Sequence, residues 1–281
     1  MEKIVVFGVG LIGGSMALAL KREGRHVIGV DTNITHTQQA KELKIIDAMG
    51  NLDDVKNANV VIIAVPVNHT NDLAVKILDA ITKNTLVFDV GSIKEPICKA
   101  LKNHPKRQNF VAAHPIAGTE YSGPEAAFKQ LFYNKKNIIC EPKSSGKVFL
   151  EKALRIFEEL KMATSFMQAK AHDRHIAYVS HLSHISSFML GKTVLEIEKN
   201  EASIFTMAGS GFASTVRLSK SSPKTWTPIF IENKNNILTS LKEYVKNLNQ
   251  FQEFIENDDV QGLFEAMAST HHLKTILSEI K

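Results

Sequence analysis

The chain has 281 residues, 44% hydrophobic and 22% charged, which excludes a largely disordered chain and leaves room for two domains sharing an interface. Its net charge of +5 comes from basic residues spread without a long block, so small anions are better expected partners than nucleic acid. No apolar run approaches the roughly 20 residues that cross a bilayer, no leader-like stretch precedes the first strand, and Cys98 and Cys140 form no C-x-x-C pair. The expectations are a cytoplasmic chain without membrane contact, disulfide framework or zinc site.

Residues 4–7 form an apolar run too short for a helix and followed at once by glycine, the pattern of a buried parallel strand. Gly8, Gly10 and Gly13 then make G-x-G-x-x-G, and residues 11–20 continue at helical spacing. Strand, turn and helix thus stand in the order that a dinucleotide site requires. Gly8 allows the sharp turn, Gly10 lets a pyrophosphate approach the backbone, and Gly13 lets the helix lie against the strand. The free N–H groups of the helix start face the phosphates. A second strand over 26–30 ends at Asp31, whose carboxylate would bond both ribose hydroxyls and repel a 2′-phosphate, favouring NAD over NADP. A glycine turn of purely structural use is the alternative.

Helix-forming residues 35–43 lead to a second buried strand over 60–65, stopped by Pro66. A helix over 70–81, a strand over 86–90, a short helix after Pro96 and a strand over 110–113 follow. Their alternation predicts a Rossmann-type, doubly wound α/β sheet with its ligands beyond the carboxyl ends of the strands. Strand-like segments over 137–141 and 162–167, with an amphipathic helix over 147–160 between them, complete a dinucleotide-binding domain over 1–167. The expected cofactor-binding residues are Gly8, Gly10, Leu11, Ile12, Gly13, Asp31, Val65, Pro66 and Ser92.

From about 169 the period is helical, with long segments over 171–198, 227–248 and 259–277 and turn signals at Asn200, 209–211 and 223–228. This gives an all-α second domain over 168–281, whose apolar faces exceed what one layer on a sheet would cover, so a homodimer through it is expected.

Polar residues gather on the rim of the sheet. Ser92 and His114 both follow strands, where a neutral imidazole could accept a hydroxyl proton as hydride leaves the same carbon, with Ser92 orienting the oxygen. Alternatively His114 caps a loop and Ser92 N-caps the helix near Lys94. His172, Asp173, His175, Ser180, His181 and His184 cluster within about three helical turns. They read as a polar cleft lining, as buried structural histidines, or as metal ligands; without H-E-x-x-H no metal is expected. Arg217 follows the glycine-rich 209–211 turn and precedes Trp226, suiting a bidentate carboxylate contact or a surface ion pair.

GVGLIGGS at 8–15, VGSIK at 90–94, AAHPIAGTEYSG at 112–123, AHD at 171–173, SHLSH at 180–184 and GSGFASTVRLSKSSPKTW at 209–226 together resemble the prephenate dehydrogenase family of tyrosine biosynthesis. The resemblance implies oxidative decarboxylation of prephenate by NAD to 4-hydroxyphenylpyruvate, carbon dioxide and NADH. It implies that His114 accepts the ring-hydroxyl proton, that Ser92 lies near that hydroxyl and the nicotinamide, and that Arg217 binds a carboxylate. His184 would stand near the substrate side chain, with Ser180, His181, His172, Trp226, Thr119 and Glu120 in supporting substrate-binding positions, and the helical half would dimerise. Ala213-Ser214 stands where related chains often carry Arg-Asp, and Ser183 replaces the usual proline, which puts in question an ionic gate involving Glu120 and Asp173. A single-activity enzyme is expected. Arogenate dehydrogenase is the alternative within the family; a non-catalytic NAD-binding sensor and a metal-dependent hydrolase are alternatives outside it.

Overall fold

A computed structural model describes residues 1–199, 201 and 203–279, so the turn signal at Asn200 lies outside the described residues. The chain divides into two compact units, the first from Met1 to Asn233 and the second from Lys234 onward.

The first unit is built on an eight-stranded sheet. Its strands are β1 (Glu2–Phe7), β2 (Arg25–Val30), β3 (Ala48–Met49), β4 (Val60–Ile63), β5 (Leu86–Asp89), β6 (Phe110–Pro115), β7 (Lys136–Cys140) and β8 (Ala163–Met167). They lie in the order β3-β2-β1-β4-β5-β6-β7-β8. The first six are mutually parallel; β7 runs antiparallel to β6, and β8 runs parallel to β7. Strand order reverses between β1 and β4, and this switch point opens a crevice at the carboxyl ends of the parallel strands. Register keeps those ends level, since Phe7 pairs with Val30 and Ile63, and Ile63 with Asp89.

Continuous apolar strands follow from burial on both faces. Ile4, Val6, Ile62 and Phe88 point to one face, covered by α1 (Leu11–Leu20) and α5 (Lys147–Glu159) through Met16, Leu20, Ile156 and Phe157. Val5, Phe7, Val61 and Val87 point to the other, covered by α3 (Val67–Ala80) and α4 (Glu95–Ala100) through Ile77, Leu78 and Ile97. A shorter helix, α2 (Ile34–Glu42), adds Ala40 to the first layer.

The structure moves several expected boundaries. β4 ends at Ile63, because Pro66 is already the N-cap of α3, which starts three residues before the expected 70. β6 runs on through His114 to Pro115, so His114 belongs to a strand rather than to the loop after it. The expected 171–198 helix is α6 (Ala169–Ile176), a π-helical turn (Ala177–His181) and α7 (Leu182–Glu198). Gly209 is the N-cap of the short α8 (Ser210–Thr215).

Pro223 and Pro228 mark no turn: Pro223 opens α9 (Pro223–Glu232), where the missing N–H has no partner to lose, and Pro228 lies inside it. The helix expected over 227–248 therefore starts earlier and breaks at Asn233. The second unit holds α10 (Lys234–Glu256), α11 (Val260–Ala268) and α12 (Leu273–Glu279), so the expected 259–277 helix is two. Asp259 caps α11 by accepting the Gly262 N–H at 2.8 Å. Val245, Leu248, Phe251, Ile255, Phe264 and Met267 are exposed on these helices. Among the described residues no helix is long and apolar enough to cross a membrane, and Cys98 and Cys140 are free thiols.

Candidate active site

The turn after β1 is closed where it packs and open where a ligand would lie. Gly8 has φ +85°, and a Cβ there would drive into the Ala64 carbonyl, while one on Gly13 would drive into the Gly8 carbonyl. At Gly10 the nearest atom to an added Cβ is the Gly123 nitrogen at 4.0 Å, an unstrained van der Waals distance. Gly10 is the N-cap of α1 without a side-chain cap. The N–H groups of Leu11, Ile12 and Gly13 thus begin a helix with no intrahelical acceptor, an anion-binding arrangement. At the end of β2, Asp31 Oδ2 accepts the Val9 N–H at 3.1 Å and Oδ1 the Asn33 N–H at 2.9 Å. His36 Nδ1 lies 3.6 Å from the same carboxylate. Val65 and Pro66 follow β4 and Ser92 follows β5, on the rim reached from the switch point. An open cradle, free helix-start amides and a carboxylate at the next strand end fit a pyrophosphate joined to a ribose diol.

Farther along the rim, β6 delivers His114, which is 8% exposed. Its Nδ1 lies 2.8 Å from His172 Nε2, and His172 Nδ1 lies 2.7 Å from Asp173 Oδ1. A carboxylate only accepts, so His172 carries its proton on Nδ1 and presents Nε2 as an acceptor. His114 must then donate from Nδ1, and its Nε2 is the bare lone pair. Burial first, then the nearby His172, Lys94 and His181, hold the His114 pKa well below the ordinary 6.5. The chain thus sets both the tautomer and the neutrality of this imidazole.

Asp173 is itself fixed, because Oδ1 accepts the Lys94 N–H at 2.8 Å and Oδ2 the Glu95 N–H at 2.7 Å. It caps α4 from another element, the task the alternative reading gave to Ser92. Ser92 Oγ is buried and has no partner among the described residues. Such an orphaned hydroxyl, beside the N-terminus of α4, is free to bond a ligand.

Lys94, in the same loop, is 0% exposed; Nζ donates to Asp89 Oδ2 and, at 2.7 Å, to the Ala113 carbonyl next to His114. Burial pushes the Asp89 carboxyl up against the lowering effect of Lys94. Neither residue stands out as a sequence candidate, since a lysine is expected at the surface; the only signal is its place in VGSIK.

A second group forms an outer wall. His184 donates from Nδ1 to the Ser180 carbonyl at 3.0 Å and stacks on Trp226, ring centroids 3.4 Å apart. Burial lowers the His184 pKa, the Arg217 charge adding to the effect and the Ser180 bond opposing it. His181 meets Trp226 edge-on at 6.0 Å, and burial pushes its pKa down to about 4. Asn233, absent from the sequence candidates, ties His181 Nδ1 to the Asp173 carbonyl at 3.2 and 2.8 Å. Arg217, with a side chain 54% exposed, faces Glu120 at 3.6 Å. An ion pair between Glu120 and Arg217 thus forms without the acid that Ala213-Ser214 replaces. Thr119 Oγ accepts the Tyr121 N–H at 3.3 Å within the same loop.

The structure therefore joins His114 to His172 and Asp173, His184 to Trp226, and Arg217 to Glu120. Among the described residues no hydrogen bond or ion pair links His114, which bonds His172, to Arg217, which faces Glu120. No group of three or more His, Cys, Asp or Glu is arranged to hold a metal among the described residues.

Residues 16–165 match the nucleotide-binding domain of prephenate dehydrogenase and residues 168–269 its dimerization domain. Prephenate dehydrogenase of Bacillus subtilis is 31% identical over 269 residues, covering 94% of this chain and 72% of that protein. The structure of Aquifex aeolicus prephenate dehydrogenase in complex with hydroxyphenyl propionate and NAD+ is similar at TM-score 0.88 and 31% identity, over 100% of this chain and 99% of that one. Synechocystis arogenate dehydrogenase is similar at TM-score 0.78 and 26% identity, over 98% and 99%. With both family domains matched in order along a doubly wound sheet and the helices that follow it, the chain belongs to the prephenate dehydrogenase family.

Proposed function

We propose that the chain catalyses NAD-dependent oxidative decarboxylation of prephenate to 4-hydroxyphenylpyruvate, carbon dioxide and NADH in tyrosine biosynthesis. The observation that carries this reading is the His114–His172–Asp173 relay, which leaves His114 Nε2 bare on the rim of a dinucleotide cradle. When bound, NAD would supply the hydride acceptor. Leu11, Ile12 and Gly13 would hold its pyrophosphate, Asp31 its adenosine ribose, and Val65, Pro66 and Ser92 the part beyond β4 and β5.

His114 Nε2 takes the proton of the ring hydroxyl as hydride leaves the same carbon. Carbon dioxide then departs, its bonding electrons making the ring aromatic, and the proton returns to the phenolate oxygen, so no proton is released overall. Aromatisation supplies driving force; the chain supplies alignment and a base. Ser92 Oγ, with no protein partner, orients the hydroxyl oxygen. Arg217 exchanges Glu120 for a substrate carboxylate, which its fork would bind in a bidentate pair. His184, Trp226, His181, His172, Ser180 and Thr119 form the supporting wall.

We retain 1–167 as the cofactor domain and 168–281 as the substrate and dimerisation domain. The exposed apolar residues of α10 and α11 and the match to a dimerization domain support a homodimer. A cytoplasmic location suits a substrate and cofactor that are both charged metabolites. The test follows NADH absorbance with purified protein, NAD, and prephenate or arogenate. Prephenate is expected to be turned over faster, with no loss on adding a chelator. A clear excess with arogenate overturns the substrate assignment, and no turnover of either overturns the activity.

A further inference from the structure

The amino end of β6, opposite His114, borders a second concavity. Residues ahead of β6 and beyond β7 border an open depression of about 540 Å³, lined among others by Lys102, His104, Arg107, Lys143, Gly146 and Lys147. That volume lies in the range of small-molecule sites. Among the described residues no carboxylate lines it. The lysine ion pairs of the described chain, at Lys3, Lys21, Lys56, Lys94, Lys152 and Lys192, all lie elsewhere.

Arg107 is the informative member, since its side chain is in the core and only 7% exposed. Nη1 donates to the Phe110 carbonyl at 2.8 Å and to the Ser144 carbonyl at 3.2 Å, which fixes the guanidinium plane. Nε and Nη2 bond no protein acceptor among the described residues, and Arg107 lines the cleft. The acids that act on Arg107 are committed elsewhere: Glu141 accepts the Ala169 N–H at 2.9 Å, and Asp89 pairs with Lys94. A buried cation with no counter-ion is costly unless something supplies the missing charge. At the same place Gly146 is the N-cap of the 13-residue α5 and offers no side-chain cap, so the N–H groups of Lys147 and Val148 also lack acceptors among the described residues, while that of Phe149 bonds the Gly146 carbonyl at 3.0 Å.

We propose that this cleft is a second ligand site, distinct from the cofactor cradle, for a phosphate-bearing small molecule. A fixed guanidinium half, helix-start amides and the exposed ammonium groups of Lys102, Lys143 and Lys147 match the several oxygens and charges of a phosphate chain.

The test is calorimetric titration of the full chain with pyrophosphate, ATP or citrate, at low ionic strength and saturating NAD so that the α1 cradle is filled. Pyrophosphate is expected to bind saturably, one per chain, and at least tenfold more weakly to Lys143→Glu/Lys147→Glu at unchanged Tm. Both substitutions are at exposed positions; if that variant melts early, Lys102→Gln/Lys143→Gln provides the same comparison. Tighter ATP binding assigns a nucleotide, and equal binding assigns the phosphates alone. Absence of binding, displacement by NAD, equal affinity for citrate, or charge variants that bind as the parent does would each overturn the proposal.

Discussion

The turn after β1 and the imidazole pair behind β6 are made of opposite materials. The turn is backbone, set by three glycines within six residues, and what matters is where side chains are missing. The relay is all side chains, drawn from β6 and α6 across 58 positions, and what matters is which nitrogen holds a proton. The first would hold a ligand by leaving room; under the proposed function the second does chemistry by fixing a tautomer in a buried place. The two regions should therefore fail differently when disturbed, the turn in cofactor affinity and the relay in turnover.

The largest expected effect at the turn comes from Gly13→Val. A branched side chain there meets the Gly8 carbonyl, and overpacking of about 3 kcal/mol should lower Tm by roughly 6–12 °C while the displaced turn weakens NAD binding. Gly10→Ala sharpens the contrast. Its Cβ meets no protein atom closer than 4.0 Å, so Tm should hold while NAD binding weakens, read by thermal melts and fluorescence titration respectively. Equal behaviour of the two variants would break the distinction between packed and open glycines.

At the relay, Asp173→Asn removes the charge and leaves one accepting oxygen where there were two, so it cannot fix His172 and cap both Lys94 and Glu95 at once. We expect kcat to fall by about a hundredfold, at the low end of what a general base contributes, with NAD affinity nearly unchanged. A fall in NAD affinity with kcat intact would reverse the assignment. Arg217→Ala should act on binding instead, since a charge-assisted contact of about 2 kcal/mol raises the KM for prephenate by roughly thirtyfold. A steady-state titration separates that from an effect on kcat.

The smallest effect is on stability against pH. His114 and His181 are neutral when folded, with pKa values held below 6.5 and, for His181, down to about 4. Between about pH 6.5 and 4 the unfolded chain binds more protons than the folded one, so stability is lost as pH falls through that window. Thermal melts should show Tm dropping by a few degrees, on the order of 2–4 °C per kcal/mol for a chain of this size. His181→Gln should flatten the drop. A parent Tm that stays level to pH 4.5 would contradict the burial of these imidazoles.

The same contrast explains what could be read from residue order. Buried parallel strands such as 4–7 and 60–63 are continuous apolar runs bounded by glycine or proline, and the glycine turn is local, so both are legible. The antiparallel direction of β7 is not, because an apolar strand carries no sign of its direction. The break at Asn233 is masked by apolar spacing that runs through it, and the bond its side chain makes there, to the Asp173 carbonyl, spans 60 positions. His114, His172 and Arg217 could be named by type and motif, but the bare Nε2 follows only from the chain of acceptors ending at Asp173. Lys94 and Arg107 escape for one reason: basic residues are expected in water, and these two are in the core.

The most direct test replaces His114 by Asn in the full chain and compares prephenate turnover with NAD affinity. The account predicts a fall in kcat of about a thousandfold, within the range for losing a general base, with NAD bound as tightly as by the parent. Turnover close to the parent's would contradict the assignment of the base, whatever the other variants did.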